Sequence, residues 1–118
     1  MEKILSRKLS QMKKGILEFV TLSLISKKEF YGYDIITTLR GYDLNVIEGT
    51  LYPILARLRK EGLIVYKWIE STKGPPRKYY SITEDGEDLL EKLVVEFNKM
   101  ISTVDQVLKM KTTEDNNE

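Results

Sequence analysis

The sequence has no cysteine and no histidine. The first absence excludes disulfides, a thiolate nucleophile and thiolate metal sites. The second excludes Ser-His and Cys-His couples, His-ligated zinc and the one side chain that ordinarily titrates near neutrality. Proline is scarce, and two of the three residues stand together as Pro75-Pro76. No apolar run approaches the ~18 residues of a membrane span. The segment Met1 to Lys14 is charged throughout and lacks the apolar centre of a signal peptide. The expectation is a cytoplasmic chain with no membrane partner, no metal and no cofactor. An enzyme is not expected either. Only carboxylates, Lys and Tyr remain for acid-base work, and no carboxylate pair lies in an apolar context that would separate its pKa values. Asp34, Glu48 and Glu61 read as surface or capping groups.

What is present is one domain's worth of chain: 118 residues, 42% hydrophobic and 31% charged, enough for a single core. The net charge of +1 conceals an asymmetry. Residues 1–80 hold 15 Lys and Arg against 8 Asp and Glu, whereas residues 81–118 hold 4 against 10. A basic body followed by an acidic segment suits a part that faces a polyanion and a part that faces something else.

Periodicity divides the chain. From Gly15 to Ile25, apolar residues at Ile16, Phe19, Val20 and Leu24 have helical spacing, with Lys27-Lys28 at the favourable end of the helix dipole. A second helix is predicted from about Tyr31 to Leu39, with Tyr31, Ile35 and Leu39 on one face and Gly41 as its stop. Asn45 and Glu48 read as a capping box for a third helix through Lys60, with Ile47, Leu51, Ile54, Leu55 and Leu58 on its apolar face and Gly62 as its stop. Pro53 falls inside this helix and predicts a kink near Gly49–Pro53. The period then changes. Leu63–Glu70 and Arg77–Ile82 are rich in β-branched and aromatic residues and flank Ser71–Pro76, the pattern of a β-hairpin. Thr83 caps a last helix from about Glu84 to Met110, roughly 40 Å long. Its residues Leu90, Leu93, Phe97, Met100, Val104 and Val107 step by three and four, a heptad seam that Val94, Ile101 and Leu108 widen.

The predicted class is mainly α (α+β): a winged helix-turn-helix over residues 1–83, a dimerisation helix over 84–111 and a disordered tail over 112–118. The seam predicts a homodimer, with the partner's basic Lys3, Arg7, Lys8, Lys13 and Lys14 meeting the acidic face of the last helix. In such a fold the third helix enters the DNA major groove and the hairpin loop meets the backbone or minor groove. At 100° per residue the outward face of the third helix carries Gly49, Tyr52, Pro53, Ala56 and Lys60, flanked by Thr50, Arg57 and Arg59. The loop carries Lys73, Arg77 and Lys78 around Gly74-Pro75-Pro76. Trp68 is expected to pack between hairpin and helices, Tyr33 and Tyr80 to be structural, and Phe97 to pack in the seam.

These segments bring out a resemblance. Tyr31-Gly32-Tyr33-Asp34-Ile35-Ile36, Glu48-Gly49-Thr50-Leu51-Tyr52-Pro53-Ile54-Leu55-Ala56-Arg57-Leu58, Gly62-Leu63-Ile64, Gly74-Pro75-Pro76-Arg77-Lys78-Tyr79-Tyr80 and Thr83-Glu84-Asp85-Gly86 resemble the PadR family of bacterial transcriptional regulators over about residues 12–90. Asp34 stands where the family usually has Glu. The single C-terminal helix is similar to the shorter subfamily. The resemblance implies a dimeric repressor on a palindromic double-stranded operator, with a small hydrophobic or aromatic effector as the releasing signal. The expected DNA contacts are Tyr31, Thr50, Tyr52, Arg57, Lys60, Lys73, Arg77 and Lys78, with Tyr79 a further hydroxyl within reach of phosphate. The competing expectation is a coiled-coil protein–protein interaction module that uses the seam without DNA. RNA binding lacks the exposed aromatic sheet it needs, since only two strands are predicted.

Overall fold

A computed structural model describes residues 1–112, so all but the first residue of the expected tail lies outside the described residues. The order is α1 (Glu2–Ile25), β1 (Phe30–Tyr31), α2 (Gly32–Gly41), α3 (Glu48–Lys60), β2 (Ile64–Ile69), β3 (Arg77–Ile82) and α4 (Glu84–Leu108). The fold is mainly helical with one small antiparallel sheet, a winged-helix arrangement.

The core forms where α1, α2 and α3 bring their apolar stripes together. Leu22 and Ile25 of α1, Ile35 and Leu39 of α2, and Leu51, Leu55 and Leu58 of α3 are almost wholly buried, with Ile64 of β2 beneath them. Among the described residues the one buried polar side chain is Thr21, whose hydroxyl donates to the Leu17 carbonyl at 2.7 Å within its own helix.

Four local expectations are corrected. First, α1 begins at Glu2 and not near Gly15. Leu5, Leu9, Met12, Ile16 and Phe19 continue a four-three spacing through the charged segment, and a reading guided by charge passes over it. Second, Tyr31 is not helical; it pairs with Tyr79 across β1 and β3, and Phe30 pairs with Tyr80. A two-residue strand is too short to show a period, so the third strand was invisible. The sheet order is β1-β3-β2. Third, α2 is ended by Asp43 at φ 60°, with Leu44 N–H on the Leu39 carbonyl and Asp43 N–H on that of Arg40, while Gly41 is its last helical residue. This is a Schellman closure with aspartate in the left-handed position usually given to glycine. Fourth, α3 is capped at Ile47 with no side-chain hydrogen bond, so Asn45 and Glu48 make no capping box. The later start still leaves Pro53 inside the helix.

The other boundaries agree with the pattern. Gly62, at φ 78°, closes α3 as predicted. The register Ile69↔Arg77 to Ile64↔Ile82 leaves a seven-residue connection, Glu70–Pro76, as the wing loop. The Thr83 hydroxyl accepts from Gly86 N–H at 3.0 Å, the predicted cap, and donates to the Gly62 carbonyl at 2.7 Å. A side chain at Gly86 would collide with the Leu63 carbonyl, so the first turn of α4 lies directly on the α3–β2 turn. From there α4 leaves the body, and the molecule extends to 70 × 35 × 23 Å.

Candidate nucleic-acid interface

Helix α3 is pinned along three arcs, and this orients its fourth. Leu51, Ile54, Leu55 and Leu58 are buried in the core. On one edge, Arg57 pairs with Glu18 of α1 at 3.3 Å, and Thr50 lies seven residues before Arg57 on that same edge. Both partners of the pair are substantially exposed, so its worth is at most about 1 kcal/mol. On the other edge, the Tyr52 ring lies against Gly32 at the start of α2, where an added Cβ would come within 3.0 Å of it. Arg59 stacks on Tyr66 of β2, 4.7 Å from the ring centre. The remaining arc, Gly49, Pro53, Ala56 and Lys60, is exposed, and no hydrogen bond or ion pair holds the Lys60 side chain among the described residues.

The residues singled out in the sequence therefore separate into groups. Lys60 stands on the free arc. Thr50 lies at the α1 edge with Arg57, whose guanidinium is engaged by Glu18 and so does not join the free arc. Tyr52 belongs to the wing-side edge. It meets Tyr31, Arg77 and Lys78 there, together with Gly32, Trp68, Pro76 and Tyr80, around a depression of about 200 Å³. Lys73 is on the wing loop, where its backbone N–H reaches the Ser71 hydroxyl at 3.4 Å.

The wing-side cations are held by rings. The Arg77 guanidinium lies 4.6 Å from the centre of Tyr31, which is itself 6.0 Å from Tyr79. The Lys78 ammonium lies 4.5 Å from Tyr66 and 5.3 Å from Trp68. Stacking on a ring face leaves a cation its charge while fixing its place. Burial raises the Tyr52 hydroxyl above the usual phenol range, with Glu48 and then Tyr31 adding to the shift. Tyr80 is raised mainly by burial as well, then by Tyr52 and Tyr66, against an opposing pull from Arg59. Both hydroxyls are thus protonated donors at neutral pH.

Two tyrosines and the tryptophan test the remaining expectations. Tyr80 is buried as expected, but Tyr33 is 44% exposed and Trp68 60% exposed, so neither is a core residue. Trp68 does not pack between hairpin and helices because its face of β2 leaves the core as it runs towards the loop. Ile64 is buried, Tyr66 half-buried and Trp68 open. The signal that would have placed Trp68 is the hairpin register, which sets it opposite Lys78.

The predicted seam of α4 divides in two. Leu90 and Leu93 pack against the core of their own domain, and the Phe97 ring lies 4.9 Å from Phe19 of α1. Phe97 thus has a ring partner within its own chain and also lines the groove between α1 and α4. Beyond it Met100, Val104 and Val107 are each more than half exposed. An apolar groove of about 840 Å³ opens between α1 and α4, with Met12, Ile16, Phe19, Phe97, Met100 and Val104 among its walls. No helix among the described residues is long and apolar enough to cross a membrane.

Comparison with known proteins follows the same outline. Residues 21–92 match the transcriptional regulator PadR-like family. A PadR-like transcriptional regulator from Bacillus cereus is 41% identical over 86% of this chain and all of its own, with a TM-score of 0.75. A PadR family transcriptional regulator from Eggerthella lenta is 26% identical, superposes with a TM-score of 0.86 and is covered over 96% of its length, against 93% of this chain. The negative transcriptional regulator PadR of Bacillus subtilis is 28% identical over 81% of this chain, which spans only 54% of that longer protein. The sequence motifs, the winged-helix architecture and these matches agree, and the chain belongs to the PadR-like family of transcriptional regulators.

Proposed function

We propose that this chain is a homodimeric repressor that binds a palindromic double-stranded operator in the cytoplasm and is released by a small hydrophobic or aromatic effector. The observation that carries the DNA reading is the free arc of α3. Gly49, Pro53, Ala56 and Lys60 are exposed between two edges anchored to α1 and to the wing. Small residues at 49 and 56 let the helix backbone approach base edges, and Lys60 supplies a donor for them. Arg77 and Lys78 share a depression with Tyr52 on the wing-side edge of this helix, and Lys73 adds a cation on the wing loop, positions suited to phosphates, which set the register of the protein on the duplex.

The bare half of the α4 seam supports a second copy of the chain as partner. The apolar groove between α1 and α4 supports a hydrophobic effector. The relative from Bacillus subtilis that is named a negative regulator supports repression.

The deciding experiment is a gel-shift and footprint on the protein's own upstream region, with light scattering on the free protein. A two-fold symmetric footprint that survives competitor DNA, from a protein of twice the chain mass, is the expected result. A dimer with no DNA affinity would turn the reading to an interaction module that works through α4 alone.

A further inference from the structure

Trp68 is the only tryptophan of the chain, and it stands 60% exposed on the wing. It is not an isolated surface residue. Its ring packs edge-on against Tyr66, with centres 6.1 Å apart at 90°, and the Lys78 ammonium lies close to the faces of both. It forms one wall of the depression that Tyr52 of α3 and Arg77 complete. That wall set contains two cations, three tyrosines and no carboxylate. The indole N–H has no acceptor among the described residues.

A surface with this chemistry suits a ligand that is anionic at one end and apolar at the other. A deoxyribose-phosphate unit has that character: its phosphate oxygens accept from N–H and ammonium donors, and its sugar C–H face lies well on an aromatic ring. Through Tyr52 the depression also includes the edge of α3 next to the free arc, the helix that the DNA reading sets on the duplex. We propose that Trp68 is a DNA-contacting residue of the wing, with its ring against a backbone sugar and its N–H on the adjacent phosphate, and with Lys78 held by Tyr66 and Trp68 to meet the same phosphate. This rests on the DNA reading above and adds to it a neutral aromatic contact that a search for cations does not find.

The test uses the full chain and an operator fragment from its upstream region, with scrambled DNA of equal length as control. Because Trp68 is the sole tryptophan, emission excited at the red edge of the spectrum reports on it alone. Saturating wild-type protein with operator should change that emission. Trp68→Ala should weaken operator and scrambled DNA alike by about tenfold or more, tenfold being the lower end of what a hydrogen bond to a charged group contributes. Trp68→Phe, which keeps a ring and loses the N–H, should fall between. Neither change removes a charge, so the salt slope should stay at the wild-type value, whereas Lys78→Ala should lower it by about one. Thermal unfolding like that of the wild type shows that a variant is intact, as expected for an exposed side chain. If wild-type protein binds operator while the Trp68 emission is unmoved and intact Trp68→Ala binds equally well, this contact is refuted and the DNA reading stands. If wild-type protein binds neither DNA, both fall.

Discussion

Helices α3 and α4 carry the same kind of apolar stripe and come to opposite ends. Within α3 the inner apolar face is consumed by its own domain: Leu51, Ile54, Leu55 and Leu58 are at most 4% exposed, whereas Ile47, expected on the same face, is the N-cap and stands 71% exposed. In α4 only the first half of the stripe finds partners in the chain, while Met100, Ile101, Val104 and Val107 are between 51% and 59% exposed. A helix of 25 residues is about 37 Å long and outruns the body it springs from, so its far half has no core to enter. The N-terminal half of α1 shares this condition, with Leu5 and Met12 open to solvent. A contiguous bare apolar surface of this kind is the usual mark of an interaction site and supports the proposed contact between copies.

Substitutions on the two helices should therefore break different things. The largest effect is expected for Leu55→Ala, which opens a cavity under α3 and should lower the unfolding free energy by about 2–5 kcal/mol in a denaturant titration. A loss below 1 kcal/mol would mean that this site collapses freely and that the core is looser than its burial indicates. Val104→Asp on the bare half of α4 should leave the circular dichroism of the domain in place while light scattering falls from twice the chain mass to once. An unchanged mass would show that this stripe is not the contact between copies.

Smaller effects are expected at the surface of α3 and on the wing. Lys60→Ala should cost about 1–3 kcal/mol on operator and little on scrambled DNA, because a base-edge contact carries sequence information. Arg77→Ala should weaken both equally and lower the salt slope by about one, because phosphates are the same everywhere. A reversal of these two signatures would exchange the roles of helix and wing. The smallest effect is that of pH. With Tyr52 and Tyr80 raised by burial and no histidine present, DNA affinity should be flat between pH 6 and 8. The unfolded chain ionises these tyrosines before the folded one as pH rises through about 10, so native stability should hold at neutrality and decline only above that range. A denaturation series in pH checks the sign.

How much of this was legible depended on the range over which each signal acts. The hairpin, the Gly62 stop, the Thr83 cap and the long last helix were read correctly because a period of two or of three to four, or a single capping residue, acts over a few neighbours. The first half of α1 is legible in the spacing of Leu5, Leu9, Met12 and Ile16, a stripe masked by the charged residues between them. The capping box at Asn45 was misread because the pattern Asn-x-x-Glu is satisfied in the letters and not in the backbone, where Ile47 takes the cap.

The candidate site was half legible. Outward positions on α3 follow from helical geometry alone, and Lys60 is where that geometry puts it. What a neighbour does to a side chain does not follow. Glu18, on a different helix 39 residues away, engages Arg57, and Gly32 takes the face of Tyr52.

The sequence by itself determined the four helices and the hairpin in their order, the apolar positions inside α3 and α4, the basic wing and the family, because these rest on local periodicity and on motifs of a few residues. Only the tertiary structure decided that β1 completes a three-stranded sheet, that Phe97 is occupied by Phe19, that half of the α4 stripe is left bare and that Trp68 faces solvent beside Lys78. Each of these depends on which surfaces distant segments bring together. Burial is a property of the packed pair and not of either segment alone.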